Sequence, residues 1–176
     1  MQNGKKYSRI EKSGTKWDEK PIKWYKNRKA RVEREMLIGE HSHNLDTKGR
    51  VSIPSKFRDD LGGTFVLSKG VNECLNAYSK EAWEDFQAEL MELKGADGRK
   101  LRRFFFSGAT ECEIDAQGRI LIPPVLREYA HLQREVVIAG VSDHMEIWNK
   151  ADWEAYMSPD NISPDQVEDA MERLGL

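Results

Sequence analysis

A ten-residue segment occurs twice in this chain, 69 residues apart. The first copy is Leu45-Asp46-Thr47-Lys48-Gly49-Arg50-Val51-Ser52-Ile53-Pro54, and the second is Ile114-Asp115-Ala116-Gln117-Gly118-Arg119-Ile120-Leu121-Ile122-Pro123. Asp, Gly, Arg, Ile and Pro share their offsets, and an arginine follows four residues after each proline (Arg58, Arg127). The residue types dictate a local structure. An aliphatic residue ends a strand, and the aspartate folds its carboxylate back onto the amides that follow. Glycine admits the positive φ of a tight turn. Arginine opens the next strand. Proline ends that strand and pre-sets the first turn of a helix. The expected unit is strand, turn, strand, short helix, with a basic side chain held at the turn by Asp46 and Gly49, or by Asp115 and Gly118.

The flanks repeat as well. Phe65-Val66-Leu67 matches Val136-Val137-Ile138, Leu75-Asn76-Ala77-Tyr78 matches Met145-Glu146-Ile147-Trp148, Trp83 matches Trp153 and Phe86 matches Tyr156. Two copies are too few for a solenoid, which needs three or more units. They predict two halves of one pseudo-symmetric, β-rich domain, with copies at 36–94 and 95–157. A basic N-terminal extension (1–35) and an acidic tail (158–176) flank them.

At these residues the chain resembles the MraZ family, DNA-binding regulators of the AbrB/MazE-like superfamily. The resemblance runs from about Met36 to about Tyr156. It includes Gly39-Glu40, both Asp-x-x-x-Arg turns, both Ile-Pro helix starts, Phe105-Phe106-Ser107-Gly108-Ala109 and Glu146-Ile147-Trp148. It implies a β-rich α+β fold: two tandem pseudo-repeats of the swapped-hairpin, double-split β-barrel type with short packing helices.

Charge divides the chain. Residues 1–35 hold twelve Lys/Arg and five Asp/Glu, whereas 36–176 hold sixteen and twenty-five. The first segment is without sustained periodicity, and its large apolar groups are Trp17, Trp24 and Tyr25, so it is expected to be disordered alone. Lys23 to Arg31 interleaves cations with aromatics, as single-strand and phosphate binders do. Three readings stay open: an arm that touches nucleic acid, an arm without a partner, and a start site placed upstream of the true one near Met36. No apolar run approaches a membrane span and no secretory h-region is visible, which predicts a cytoplasmic protein; the family resemblance implies that it is nucleoid-associated. Cys74 and Cys112 lack metal-type spacing and read as small buried thiols. His41 and His43 share a strand face, but no further ligand completes a metal set nearby. No cofactor is expected.

The remaining pattern predicts a short helix from Pro54 to Leu61 with Phe57 and Leu61 inward. Ser79 caps a longer helix whose Trp83, Phe86, Leu90 and Leu93 form a buried stripe. Gly95 to Gly98 reads as a linker. Arg99 to Phe106 reads as a helix burying Leu101, Phe104 and Phe105, with a basic outer side. In the second copy Val125 and Tyr129 pair on a helix opened by Pro123-Pro124, and Asn149 caps the next. Ser163-Pro164-Asp165-Gln166 is a capping box that starts a tail helix.

An acidic body binds DNA only through locally concentrated cations. Lys48, Arg50 and Arg58 cluster at the first turn. Arg119 and Arg127 take the matching places in the second, where Gln117 replaces lysine. The first turn is therefore the better phosphate or base contact. Family resemblance adds the expectation that Arg50, and by repeat Arg119, face double-stranded DNA, with the aspartates orienting the turn. It also implies ring-shaped homo-oligomers, often octameric, on short direct repeats near a division and cell-wall promoter, acting there as a repressor. A structural Asp–Arg staple is the competing reading of each turn. An AbrB-like antitoxin or assembly module is the alternative function, and RNA an alternative ligand. A hydrolase built on Asp46 and Asp115 is disfavoured because each carboxylate has its own arginine, which lowers its pKa rather than preparing a general acid. No nucleophile triad or Gly-rich phosphate loop is visible, so neither enzyme chemistry nor a small-molecule substrate is expected.

Overall fold

The computed structural model describes residues 36–176. The expectations placed on residues 1–35 lie outside the described residues. The described residues begin with β1 (Leu37–Asn44), β2 (Arg50–Ser52), α1 (Ser55–Leu61), β3 (Thr64–Lys69), β4 (Leu75–Tyr78), α2 (Lys80–Glu92) and α3 (Gly95–Ser107). They continue with β5 (Thr110–Glu113), β6 (Arg119–Leu121), α4 (Pro124–Tyr129), β7 (Glu135–Ser142), β8 (Met145–Asn149), α5 (Lys150–Tyr156) and α6 (Pro164–Leu174).

The strands form a six-stranded antiparallel sheet, ordered β1-β7-β8-β4-β3-β5, and a two-stranded ribbon of β2 and β6. The fold is a β-rich α+β arrangement of two tandem repeats, as expected, and the sheet stays open rather than closing into a barrel. The pairing carries the repeat. β1 pairs with β7, and its counterpart β5 pairs with β3, the counterpart of β7. β2 pairs with β6 and β4 with β8, each strand with its own counterpart. A pseudo-two-fold axis therefore passes through the ribbon and through the β4–β8 seam. Only β3–β4 and β7–β8 pair within one half.

The main core sits where ribbon, sheet and the two short helices meet. Ile53 and Ile122, the residues before the two prolines, are fully buried there with Phe57, Leu61 and Leu126. Proline stops each ribbon strand directly after its inward isoleucine, so sheet-like burial passes into a helix without a loop. Cys74 and Cys112 are buried free thiols, and burial pushes them up to about 12 and about 11. A satellite core forms where Tyr78, Trp83 and Phe86 meet α3. The predicted caps form: Ser79 Oγ accepts from the Ala82 amide, Asn149 Oδ1 from Ala151 and Asp152, and Ser163 and Gln166 close a reciprocal box.

Some local expectations fail for identifiable reasons. Gly95 to Gly98 is not a linker but the first turn of α3. The chain reverses at Leu93-Lys94, and Gly98 is buried so close to the Leu93 backbone that a Cβ would overlap it. Leu93 and Leu101 are exposed instead of buried. Leu93 has left the helix for extended backbone, and Arg102 spans this corner, its Nη1 donating to the carbonyls of Leu90 (3.0 Å) and Leu93 (2.7 Å). In α4 the inward residue is Leu126, not Val125, because Leu126 takes the place of the buried Phe57 one repeat earlier.

Candidate nucleic-acid interface

The two turns are built alike. Asp46 Oδ1 accepts from the amides of Lys48 (2.9 Å) and Arg50 (2.8 Å). Asp115 Oδ1 accepts from Gln117 (2.9 Å) and Arg119 (2.9 Å). The backbone closes the same way in both, with Asp46 donating to Arg50 and Asp115 to Arg119. Gly49 and Gly118 turn the chain at φ 82° and 75°, where a Cβ is costly. The carboxylates are held below the usual aspartate range, first by the amides of Arg50 and Arg119. They are anionic at neutral pH and serve as turn acceptors.

Arg58 and Arg127 brace the turns crosswise. The Nε of Arg58 donates to the Ile53 carbonyl (2.8 Å) and that of Arg127 to Ile122 (3.1 Å). Each guanidinium lies over the glycine of the other copy's turn: Arg58 over Gly118, Arg127 over Gly49. A Cβ on either glycine would occupy the guanidinium's space. Two backbone hydrogen bonds complete the exchange, donated by the Ile53 amide to the Gly118 carbonyl and by the Ile122 amide to the Gly49 carbonyl. Each turn is thus held by the other half of the molecule.

Register decides what the ribbon displays. Val51 and Ile120 face each other and point inward, both buried. Arg50 opposite Leu121, and Ser52 opposite Arg119, therefore share the outer face. Ile122–Gly49 and Ile53–Gly118 are hydrogen-bonded pairs. Arg50–Leu121 and Ser52–Arg119 fall on the alternate, non-hydrogen-bonded sites, where cross-strand side chains stand closest. Leu121 is 56% exposed on this face. Sequence reasoning missed it, since a leucine between two buried isoleucines reads as core until the partner strand fixes the alternation.

The halves differ in charge presentation. Arg119 is tied down: Nε and Nη2 reach Asp115 Oδ2 at 3.1 and 2.9 Å, and Nη2 also meets Gln117 Oε1. Arg50 makes no such bond among the described residues, and neither does the exposed ammonium of Lys48. One end of the ribbon offers free cations beside an apolar side chain, and the other an arginine neutralised in place. The histidines lie on the adjoining strand, where His41 packs edge-on against Phe57 at 5.3 Å. His43 is held below the usual range by burial, then by His41 and Arg58. Among the described residues no group of three metal-ligating side chains exists, and no helix is long and apolar enough to cross a membrane.

The family model for the MraZ protein matches residues 36–104 and again 105–174, together covering most of the chain. A protein of Alkaliphilus oremlandii named "Transcriptional regulator MraZ" is 50% identical over 143 residues, which span 80% of this chain and all of that protein. Relatives of the same name in Caldicellulosiruptor saccharolyticus and Acetivibrio thermocellus are 49% and 50% identical over the same coverage.

Proposed function

The chain belongs to the MraZ family, and we propose that it is a sequence-specific DNA-binding transcription regulator whose reading element is the β2–β6 ribbon with its two Asp-x-x-x-Arg turns. The observation that carries the proposal is the outer face of that ribbon. A two-stranded ribbon fits the major groove, where sequence is legible. Free Arg50 can take O6 and N7 of a guanine with paired N–H donors, and Lys48 beside it meets phosphate. Leu121 stands one cross-strand step from Arg50 and suits the methyl group of an adjacent thymine. Arg119 contributes when its bonds to Asp115 and Gln117 exchange for DNA. Arg58 and Arg127 keep each turn at its angle, and their remaining N–H groups serve as supplementary phosphate donors. Asp46, Asp115, Gly49 and Gly118 orient rather than touch.

One ribbon carries few contacts, so a ring of copies that sets several ribbons along one duplex gains through effective concentration. Short direct repeats are the matching operator. The role proposed for the chain is repression of its own division and cell-wall gene cluster, in the cytoplasm and on the nucleoid, a reading that the family resemblance supports. The relatives' role in transcription is not catalytic, and the ionised, amide-bound aspartates suit no general acid.

The test is binding of the full chain to DNA upstream of its own gene and to a scrambled duplex, at several salt concentrations. Preference for the upstream DNA that Arg50→Ala removes is the expected result. Equal, steeply salt-dependent binding to both duplexes would reduce the ribbon to a phosphate contact and end the specific reading.

A further inference from the structure

The pseudo-two-fold axis through the ribbon relates two ends that carry different chemistry. At one end stand Lys48, Arg50 and the exposed Leu121, and at the other Gln117, Arg119 and Ser52. The arginines correspond. Their neighbours do not, since Gln117 takes the place of Lys48, and Leu121 that of Ser52. The ribbon therefore has a direction, and bases that suit one end do not suit the other.

The bonds of the second turn fix what Gln117 presents. Its backbone amide donates to Asp115 Oδ1 at 2.9 Å, which roots the residue in the turn. The residue is exposed, and its Oε1 accepts from Arg119 Nη2. Arg119 belongs to the outer face of the ribbon, opposite Ser52, so the carboxamide reaches that face as well. The same bond identifies the carboxamide oxygen, because a guanidinium only donates. Nε2 keeps its hydrogens without a partner among the described residues. Asp115 already holds the guanidinium through Nε and Nη2, at 3.1 and 2.9 Å. Arg119 thus does not depend on Gln117 for its place, and stapling alone leaves the glutamine's donors unused.

A carboxamide sets one acceptor beside one donor. Adenine offers the complement on its major-groove edge, with N6–H to donate and N7 to accept. Guanine offers two acceptors there, N7 and O6, so one of them would meet Oε1 lone pair against lone pair. Lysine, at the matching place in the first turn, only donates. It takes guanine or phosphate and gives adenine no advantage. One turn geometry is thus fitted with a different reading group in each half.

We propose that Gln117 is a base-reading residue whose carboxamide takes an adenine in the major groove beside the base met by Arg119. Once Arg119 has turned from Gln117 to the DNA, Oε1 accepts from N6–H and Nε2 donates to N7. The inference rests on the reading of the ribbon given above and adds a specificity determinant at the end away from Lys48 and Arg50.

The experiment is selection from a pool of randomised duplexes by the full chain, as wild type, Gln117→Ala and Gln117→Lys. The wild type is expected to enrich a motif with adenine fixed at one position. Gln117→Ala should keep the motif and lose the preference at that position alone, and Gln117→Lys should turn it to guanine. Both variants should keep the wild-type circular dichroism, since the residue is exposed and its backbone bond to Asp115 is retained. Replacing the adenine with 7-deazaadenine, which lacks the N7 acceptor, should weaken the wild type about tenfold in fluorescence anisotropy and leave Gln117→Ala unchanged. A motif without a fixed adenine, a Gln117→Ala protein that enriches the wild-type motif unaltered, or an equal loss with 7-deazaadenine in both proteins each overturns the proposal. So does a Gln117→Ala protein that gains affinity equally for every duplex, the behaviour of a glutamine that only shields Arg119. A wild type that enriches no motif overturns the reading of the ribbon and this proposal with it, whereas a motif indifferent to Gln117 overturns this proposal alone.

Discussion

Arg50 and Arg119 are the same side chain at the same offset, and their surroundings separate them. Arg50→Ala is expected to weaken binding to the specific duplex about 10- to 100-fold, the worth of one bidentate guanine contact. Arg119→Ala should cost several-fold less, because freeing that side chain from Asp115 and Gln117 offsets part of what it gains. Fluorescence anisotropy with labelled duplex separates the two. Gly118→Ala should destabilise the fold by about 1–2 kcal/mol from positive φ alone, and by more because Arg58 fills the space. Gly63→Ala, which meets open space, is the matched control in denaturant unfolding. The turn aspartates add an acid limit. Their lowered pKa means they bind protons more weakly folded than unfolded, so their contribution is present above the ordinary value of 3.8 and is lost as pH falls through the lower folded value. Asp46→Asn should flatten that acid limb.

Among the elements, the ribbon and the α2–α3 corner show how neighbours set an element's ends. The ribbon strands are three residues each, far too short to persist alone. They hold because both ends are closed by the other copy's turn and by the crossed arginines. At the α2–α3 corner Arg102 satisfies carbonyls at the α2 terminus that would otherwise need water. Arg102→Met keeps the stem and removes the donors, so it should cost about 1 kcal/mol, the net worth of a partly exposed hydrogen bond. Hydrogen exchange should show the loss confined to α2 and α3. This corner also explains why the basic stretch from Arg99 to Arg103 is a weaker anion site than its composition suggests: its best-placed guanidinium is spent inside the fold.

For the whole molecule, the repeats are units of sequence and not of folding. β1 finds its partner in β7 and β3 finds one in β5, so neither half can complete its sheet alone. A 36–94 fragment should be unfolded by circular dichroism, and mixing it with 95–176 should restore ordered signal. The β4–β8 seam adds a pH dependence that crosses the halves. His144 stacks on Tyr78 at 4.9 Å, and its Nδ1 lies 2.9 Å from Asp143. Burial lowers its pKa, but Asp143 and Glu146 outweigh burial and raise it to about 8 from 6.5. A raised folded pKa gives stability that is complete below 6.5 and lost as pH rises through about 8, worth about 2 kcal/mol at most. Thermal unfolding of the full chain should therefore weaken between pH 6.5 and 8.5 beyond its His144→Gln variant, which should lack that slope.

The sequence by itself determined the repeat, the Asp–Gly–Arg turn chemistry, the Ile-Pro strand-to-helix junctions and the helix caps. Each of these depends on residues within a few positions of one another, where backbone sterics and short hydrogen bonds decide the outcome. Family resemblance supplied the swapped-hairpin fold type and gave Arg50, already favoured by the charge of the first turn, its expected DNA-facing role. Tertiary structure alone decided which strand pairs with which, and from that came the ribbon's outer face. Leu121 joins Arg50 there only because β2 and β6 align across 69 residues of chain. Arg58 and Arg127 brace the opposite turns for the same reason, and Gly95 opens a helix because Leu93 and Arg102 build a corner before it. In each case the partner lies far along the chain, and a local pattern of residue types contains no record of that distance.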